Sequence, residues 1–220
     1  LFAAFFHSFV IGFLAVFLVT KQAKVKLSPQ LAMVAILASA ASTITLNIID
    51  PKTSFFYWPD YDWKIKLIDL GIAAILAVVG YILTFAIKGS HDIFARIRNH
   101  EKVSKWWLQA LLASLGLSLL YLLGGSLVQF TGNQAIAPMF NQAAALGVGG
   151  LLWIFFIKVL AIGWSKAMGY RGGMVFPTIF AASVLVAIAF QFYAETNFMY
   201  ALIGTMIGVL AAERRAKILF

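Results

Sequence analysis

Gly169-Tyr170-Arg171-Gly172-Gly173-Met174-Val175-Phe176-Pro177 separates two long apolar runs, residues 150–168 and 174–190. Runs of that length suit a bilayer, and hydrocarbon does not tolerate irregular backbone facing lipid. The second run reads as a helix with Pro177 in its first turn, where the missing N–H costs little. Gly172 and Gly173 leave the backbone bare just ahead of that start. A helix start with exposed N–H groups and the positive end of its dipole is a ready anion site. Broken helices whose ends point at an ion are how transporters build sites inside a bilayer. The plainer alternative is a glycine loop joining two spans, since glycine and proline are common in membrane helices.

The composition puts the whole chain in a membrane. Of its 220 residues, 62% are hydrophobic and 11% charged, whereas a soluble domain is about half apolar and a quarter charged. An all-α polytopic membrane protein is therefore expected. There are no cysteines, and His7, His91 and His100 lie far apart, so no metal site is expected. The net charge of +9 does not point to nucleic acid, because nearly all the cations sit in short connections where they set topology. The chain starts Leu1-Phe2-Ala3-Ala4 and stops at Ile218-Leu219-Phe220. It carries no signal-peptide n-region and reads as a single fragment, residues 1–220, of a larger membrane domain.

Taken in order, residues 1–20 form a first span and 30–49 a second, joined by the basic loop 21–29. Small residues from Ala38 to Ser42 suit close helix packing. Residues 50–65 gather Tyr57, Trp58, Tyr61 and Trp63 as an interfacial belt. Residues 66–87 form the third span, and 88–105 a second basic loop. The two basic loops fall on one side, which should be cytoplasmic, with 50–65 outside. Residues 106–130 make a fourth span. Residues 135–145, with Pro138, Asn141 and Gln142, are half a membrane long and read either as a half-spanning segment or as an outside loop helix. Further spans follow at 148–168 and 174–190, and a last apolar run at 197–210. Gly204 and Gly208 in the last mark a close helix contact.

Lys158 falls in the middle of the 148–168 run. A lysine at that depth either faces the protein interior or an aqueous path, or snorkels to the surface. The spans carry no well-placed acid: the eight acids lie in loops or near helix ends. Carboxylate-driven coupling has no evident carrier here. Catalytic groupings and phosphate loops are absent, so no enzyme and no cofactor are expected. Backbone dipoles, hydroxyls and a few cations remain, and they suit anions.

Gly169–Pro177, with Gly172-Gly173 and Pro177, resembles the GGxFxP anion-site motif of the CLC chloride channels and transporters. Ala4-Phe5-Phe6-His7-Ser8-Phe9-Val10-Ile11-Gly12 resembles that family's AAFNAPLAG segment, Thr131-Gly132-Asn133 with Pro138 its SGGG…P stretch, and Leu210–Ala216 its LAASIRA segment. The resemblance implies an inverted-repeat architecture with tilted and half-spanning helices. Residues 1–20 would be the last helix of the first repeat, and 30–220 most of the second. It implies Gly173, Met174, Val175 and Phe176 around the anion, with the Met174 and Val175 amides as donors. Gly172, Pro177, Lys158 and Thr131 become pore or packing candidates. It further implies a homodimer in the plasma membrane that moves chloride. The family phenylalanine falls on Val175, with Phe176 one position late, and the LAASIRA-associated proline is replaced by Lys217. Leu18 and Val19 stand where proton-coupled members carry a glutamate, which favours channel-like conduction. The alternatives are a transporter of another anion and a non-conducting scaffold.

Overall fold

The structure, a computed structural model, describes residues 28–49, 59, 66–100, 103, 105–170 and 173–218. The first span, the AAFNAPLAG-like segment and the aromatic belt therefore lie outside the described residues, Pro59 excepted. Among the described residues there are six α-helices and no strand. The chain forms two compact units, residues 1–56 and 57–220. In the first unit, α1 (Pro29–Ile49) opens with the Ser28 hydroxyl accepting the Leu31 N–H at 3.2 Å. That hydroxyl is an N-cap, and Pro29 sits at the first helical position, where its fixed φ fits.

The second unit holds α2 (Leu67–Arg98), α3 (Trp106–Gly124), α4 (Ile136–Ala167), α5 (Val175–Phe192) and α6 (Phe198–Ala216). Four apolar helical stretches, α2, α3, Asn133–Ala167 and α5, are long enough to cross a membrane. The protein is an all-α, multi-pass integral membrane protein. α2 begins where the buried Asp69 carboxylate accepts the Lys66 N–H at 2.9 Å, placing a negative charge at the positive end of the dipole.

Three boundaries differ from the sequence expectation. Residues 88–98, expected as part of a basic loop, continue α2 to Arg98. Lys88 and Asp92 pair across one turn at 3.4 Å, no proline intervenes, and Arg96 and Arg98 suit the last turn. At 32 residues α2 is about 48 Å long, more than the hydrocarbon core. The fourth span ends at Gly124, not at residue 130, because Gly125 turns to φ 70° and the following residues form the 3-10 turns Ser126–Val128 and Asn133–Ala135. α6 continues to Ala216 and stops where Lys217 takes φ 50° and ψ 48°. Lys217 is the position where the resemblance would put a proline, whose ring cannot reach that φ.

The half-spanning segment is present. Gly147, at φ 60° and ψ −179°, interrupts α4, a conformation essentially confined to glycine. It leaves a half-helix over 136–146, about 16 Å long, and a full helix over 148–167. The half-helix packs against the rest of the unit: Ile136, Met139 and Ala143 are buried, and the Phe140 ring stands edge-on to Phe190 and Phe198 at 5.5 and 5.1 Å.

α2 and α6 run in the same direction and touch backbone to backbone. A Cβ on Gly204 would lie 2.3 Å from the Ala73 oxygen, and one on Gly208 only 1.8 Å from the Ala77 oxygen. Gly80 of α2 answers with 2.0 Å to the Thr205 oxygen. This is the close contact that the Gly204–Gly208 spacing predicts. The Thr84 hydroxyl lies 3.3 Å from the carbonyl oxygens of both Gly80 and Val209. α5 is buried on all sides from Thr178 to Ala187, the mark of a central helix.

Candidate functional site: a cavity at the start of α5

At the start of α5, Val175, Phe176 and Pro177 are half-buried and Gly173 is exposed. Met174 precedes the helix and is 6% exposed. The first rung of the helix is the Thr178 N–H on the Met174 carbonyl at 3.1 Å, reinforced by the Thr178 hydroxyl at 2.7 Å. Pro177 has no N–H to give. The amides of Met174 and Val175 stand ahead of the ladder, with no intrahelical acceptor.

A cavity of about 410 Å³ adjoins this start. Gly173, Met174 and Pro177 form one wall, and Tyr170 closes it from the preceding turn. Opposite runs one face of α4: Lys158, Ala161, Ile162 and Ser165, at the spacing that aligns residues along a helix. Tyr121 of α3 and Phe130–Thr131 of the α3–α4 connection complete the lining. Phe130 and Thr131 also line a second cavity of about 280 Å³ with Gln129, Asn133 and Gln134, so this short segment divides two chambers.

Lys158 does not snorkel. It is 1% exposed, and its Nζ donates to the Val128 carbonyl at 2.9 Å and the Phe130 carbonyl at 2.8 Å. The ammonium also stands 4.9 Å from the centre of the Phe180 ring, within cation–π range. The connection it holds is not α-helical, and Phe130 is in the left-handed region at φ 51°. Gly132, at φ 77°, lies flat on Phe180: a Cβ there would be 2.6 Å from the ring. Thr131 donates its hydroxyl to the Asn133 side-chain oxygen. At the far end of α4, Arg98 donates to the Ala167 carbonyl at 3.0 Å, satisfying the helix C-terminus.

Of the residues singled out from sequence, Gly173, Met174, Pro177, Lys158 and Thr131 come together around this cavity. Val175 and Phe176 sit half-buried in the first turn of α5, outside the lining. Gly172 lies outside the described residues. Tyr121, Phe130, Ser165 and Tyr170 were not singled out. Ser165 follows Lys158 by two helical turns, and that polar stripe along an apolar helix was its available signal. No cluster of three potential metal ligands occurs among the described residues.

The family model described as "Voltage gated chloride channel" matches residues 2–219. The chain belongs to this family. Two curated relatives, each named "Putative ion-transport protein YfeO", from Salmonella newport (strain SL254) and Salmonella agona (strain SL483), are 27% identical over 164 residues. These alignments cover 68% of this chain and 36% of each relative, so the chain spans about a third of the relatives' length. No solved structure matches. In this family member the buried Met174 and the start of α5 adjoin a cavity that Lys158 also lines.

Proposed function

We propose that this chain forms part of a pathway for chloride or a similar small anion, and that the ion sheds water against the amides of Met174 and Val175 at the start of α5. The observation that supports this is the meeting, in one cavity, of the α5 start with Lys158 and Thr131, with no acidic residue among the described lining side chains. Each amide replaces a water contact by a charge-assisted hydrogen bond. The dipole of an 18-residue helix adds a fixed partial positive charge. Gly173 and Phe176 supply the neighbouring backbone. Pro177 fits the first turn of α5.

In this reading residues 1–20 close a first repeat and 30–220 make up most of a second, within a homodimer in the plasma membrane. The basic side, loop 21–29 and the basic stretch 88–105, is cytoplasmic. No described carboxylate lines the cavity, and Leu18 and Val19 are apolar, so in this reading conduction is channel-like, not proton-coupled.

The test is an amide-to-ester replacement at Val175 in the full-length protein, reconstituted in liposomes. It removes one N–H and leaves every side chain in place. A hydrogen bond to a charged partner contributes about 1.5–3 kcal/mol, so anion affinity should weaken by roughly 10- to 100-fold. Chloride efflux from the unmodified protein, with unchanged affinity in the ester, sinks the amide site. Absence of any anion efflux sinks permeation.

A further inference from the structure

We propose that Lys158 is itself an anion ligand in this cavity, and that its charge makes the cavity favour compact anions over large, weakly hydrated ones. This rests on the cavity being the anion site. An ammonium carries three donors. Lys158 gives two to the Val128 and Phe130 carbonyls, and among the described residues no third acceptor faces it. The group is nevertheless part of the cavity wall, so the remaining N–H is available to an occupant.

The electrostatics point the same way. No ion pair of the described residues includes Lys158. A buried charge without a counter-ion costs several kcal/mol, and two carbonyls and one ring offset only part of that. The titratable side chains of the described lining are Lys158, Tyr121 and Tyr170. The α5 start adds a second positive end on the facing wall. In this assignment an anion in the cavity supplies the counter-ion.

The consequence is selectivity. A site of neutral dipoles admits large, weakly hydrated anions easily, because their dehydration cost is low. A full charge attracts more strongly as the ion becomes smaller, with the inverse of distance. Lys158→Met should therefore do more than weaken conduction. It should lower the chloride-to-thiocyanate permeability ratio by about tenfold, equivalent to about 1.4 kcal/mol. Lys158→Arg keeps the charge and should keep the order of anions. A purely structural lysine would lower flux for every anion by one factor and leave the ratio alone.

The experiment measures bi-ionic reversal potentials with the full-length protein in planar bilayers, using chloride against thiocyanate, with gel-filtration profiles to establish folding. An unchanged ratio in Lys158→Met overturns the assignment while leaving permeation intact. Should that variant not fold, anomalous diffraction from crystals of the unaltered protein in bromide decides. Bromide within hydrogen-bonding reach of Lys158 Nζ supports the assignment, and bromide in the cavity but out of that reach overturns it. An empty cavity overturns both the ligand and the site it belongs to.

Discussion

Gly208→Ala is the sharpest test of how α2 and α6 meet. The new methyl would lie 1.8 Å from the Ala77 oxygen, 2.6 Å from its carbon and 2.9 Å from the Tyr81 nitrogen. A carbon and a carbonyl oxygen settle near 3.3 Å at closest, so the helices must part by about 1.5 Å there. A gap of about 0.5–1 Å already forfeits a quarter to a half of each contact's attraction. The Thr84 hydroxyl, 3.3 Å from the Val209 carbonyl, would lose its partner across the seam. Overpacking of this kind costs about 1–3 kcal/mol, against a gain of about 0.5–1 kcal/mol from replacing glycine in a helix. The control is Gly89→Ala in α2, where a Cβ meets nothing within 4 Å and only the gain applies. The two variants should differ in Tm by several degrees, up to about 10 °C, read by tryptophan fluorescence on heating in detergent. A Gly208→Ala protein as stable as Gly89→Ala would refute the close approach and the seam built on it.

Two further outcomes concern the breaks and the ends of helices. Gly147→Ala should destabilise by about 1–3 kcal/mol although its Cβ has open space, because φ 60° with ψ −179° is closed to other residues; an unchanged Tm would mean that α4 is not interrupted there. Glu195 accepts a hydrogen bond from Lys66 at 2.8 Å, which holds the Glu195 carboxyl below its ordinary range and raises the Lys66 ammonium above its own. The depressed acid stabilises above its unfolded pKa and loses that as pH falls through its folded value. The raised lysine stabilises below its unfolded pKa and loses that as pH rises through its folded value. Glu195→Gln should therefore differ from the parent most near neutral pH, with the gap in Tm closing towards acid. Both side chains are more than half exposed, so 0.5 M salt should remove most of it.

The spans were legible because lipid leaves the chain few choices. Hydropathy located each helix of the second unit, and the Gly204–Gly208 spacing identified a packed face. Helix ends were less legible. Lys88 reads as the edge of the hydrocarbon, but a helix can leave the membrane and continue, as α2 does to Arg98. The run after Gly124 stays apolar through Phe130, and hydropathy cannot distinguish an apolar helix from an apolar connection. The glycine pair 124–125 was the better signal. At the site, Lys158 and Thr131 were visible individually. Their meeting was not, since Lys158 reaches carbonyls 28 and 30 residues earlier in the chain, a distance over which no local pattern carries information.

That long reach also explains why a buried lysine is tolerated. Residues 125–132 turn away from helical geometry at Gly125, Phe130 and Gly132, and backbone polar groups removed from water must find partners. Lys158 supplies two of them, and the same ammonium electrifies the cavity beside it. Removing it therefore has two effects at once: it orphans the Val128 and Phe130 carbonyls, and it neutralises the wall. Loss of stability alone cannot tell these apart. Lys158→Arg, which keeps a donor and a charge on a longer and planar group, separates them: if the carbonyls matter most, the misfit lowers Tm with selectivity unchanged, and if the charge matters most, Lys158→Met alone reorders the anions.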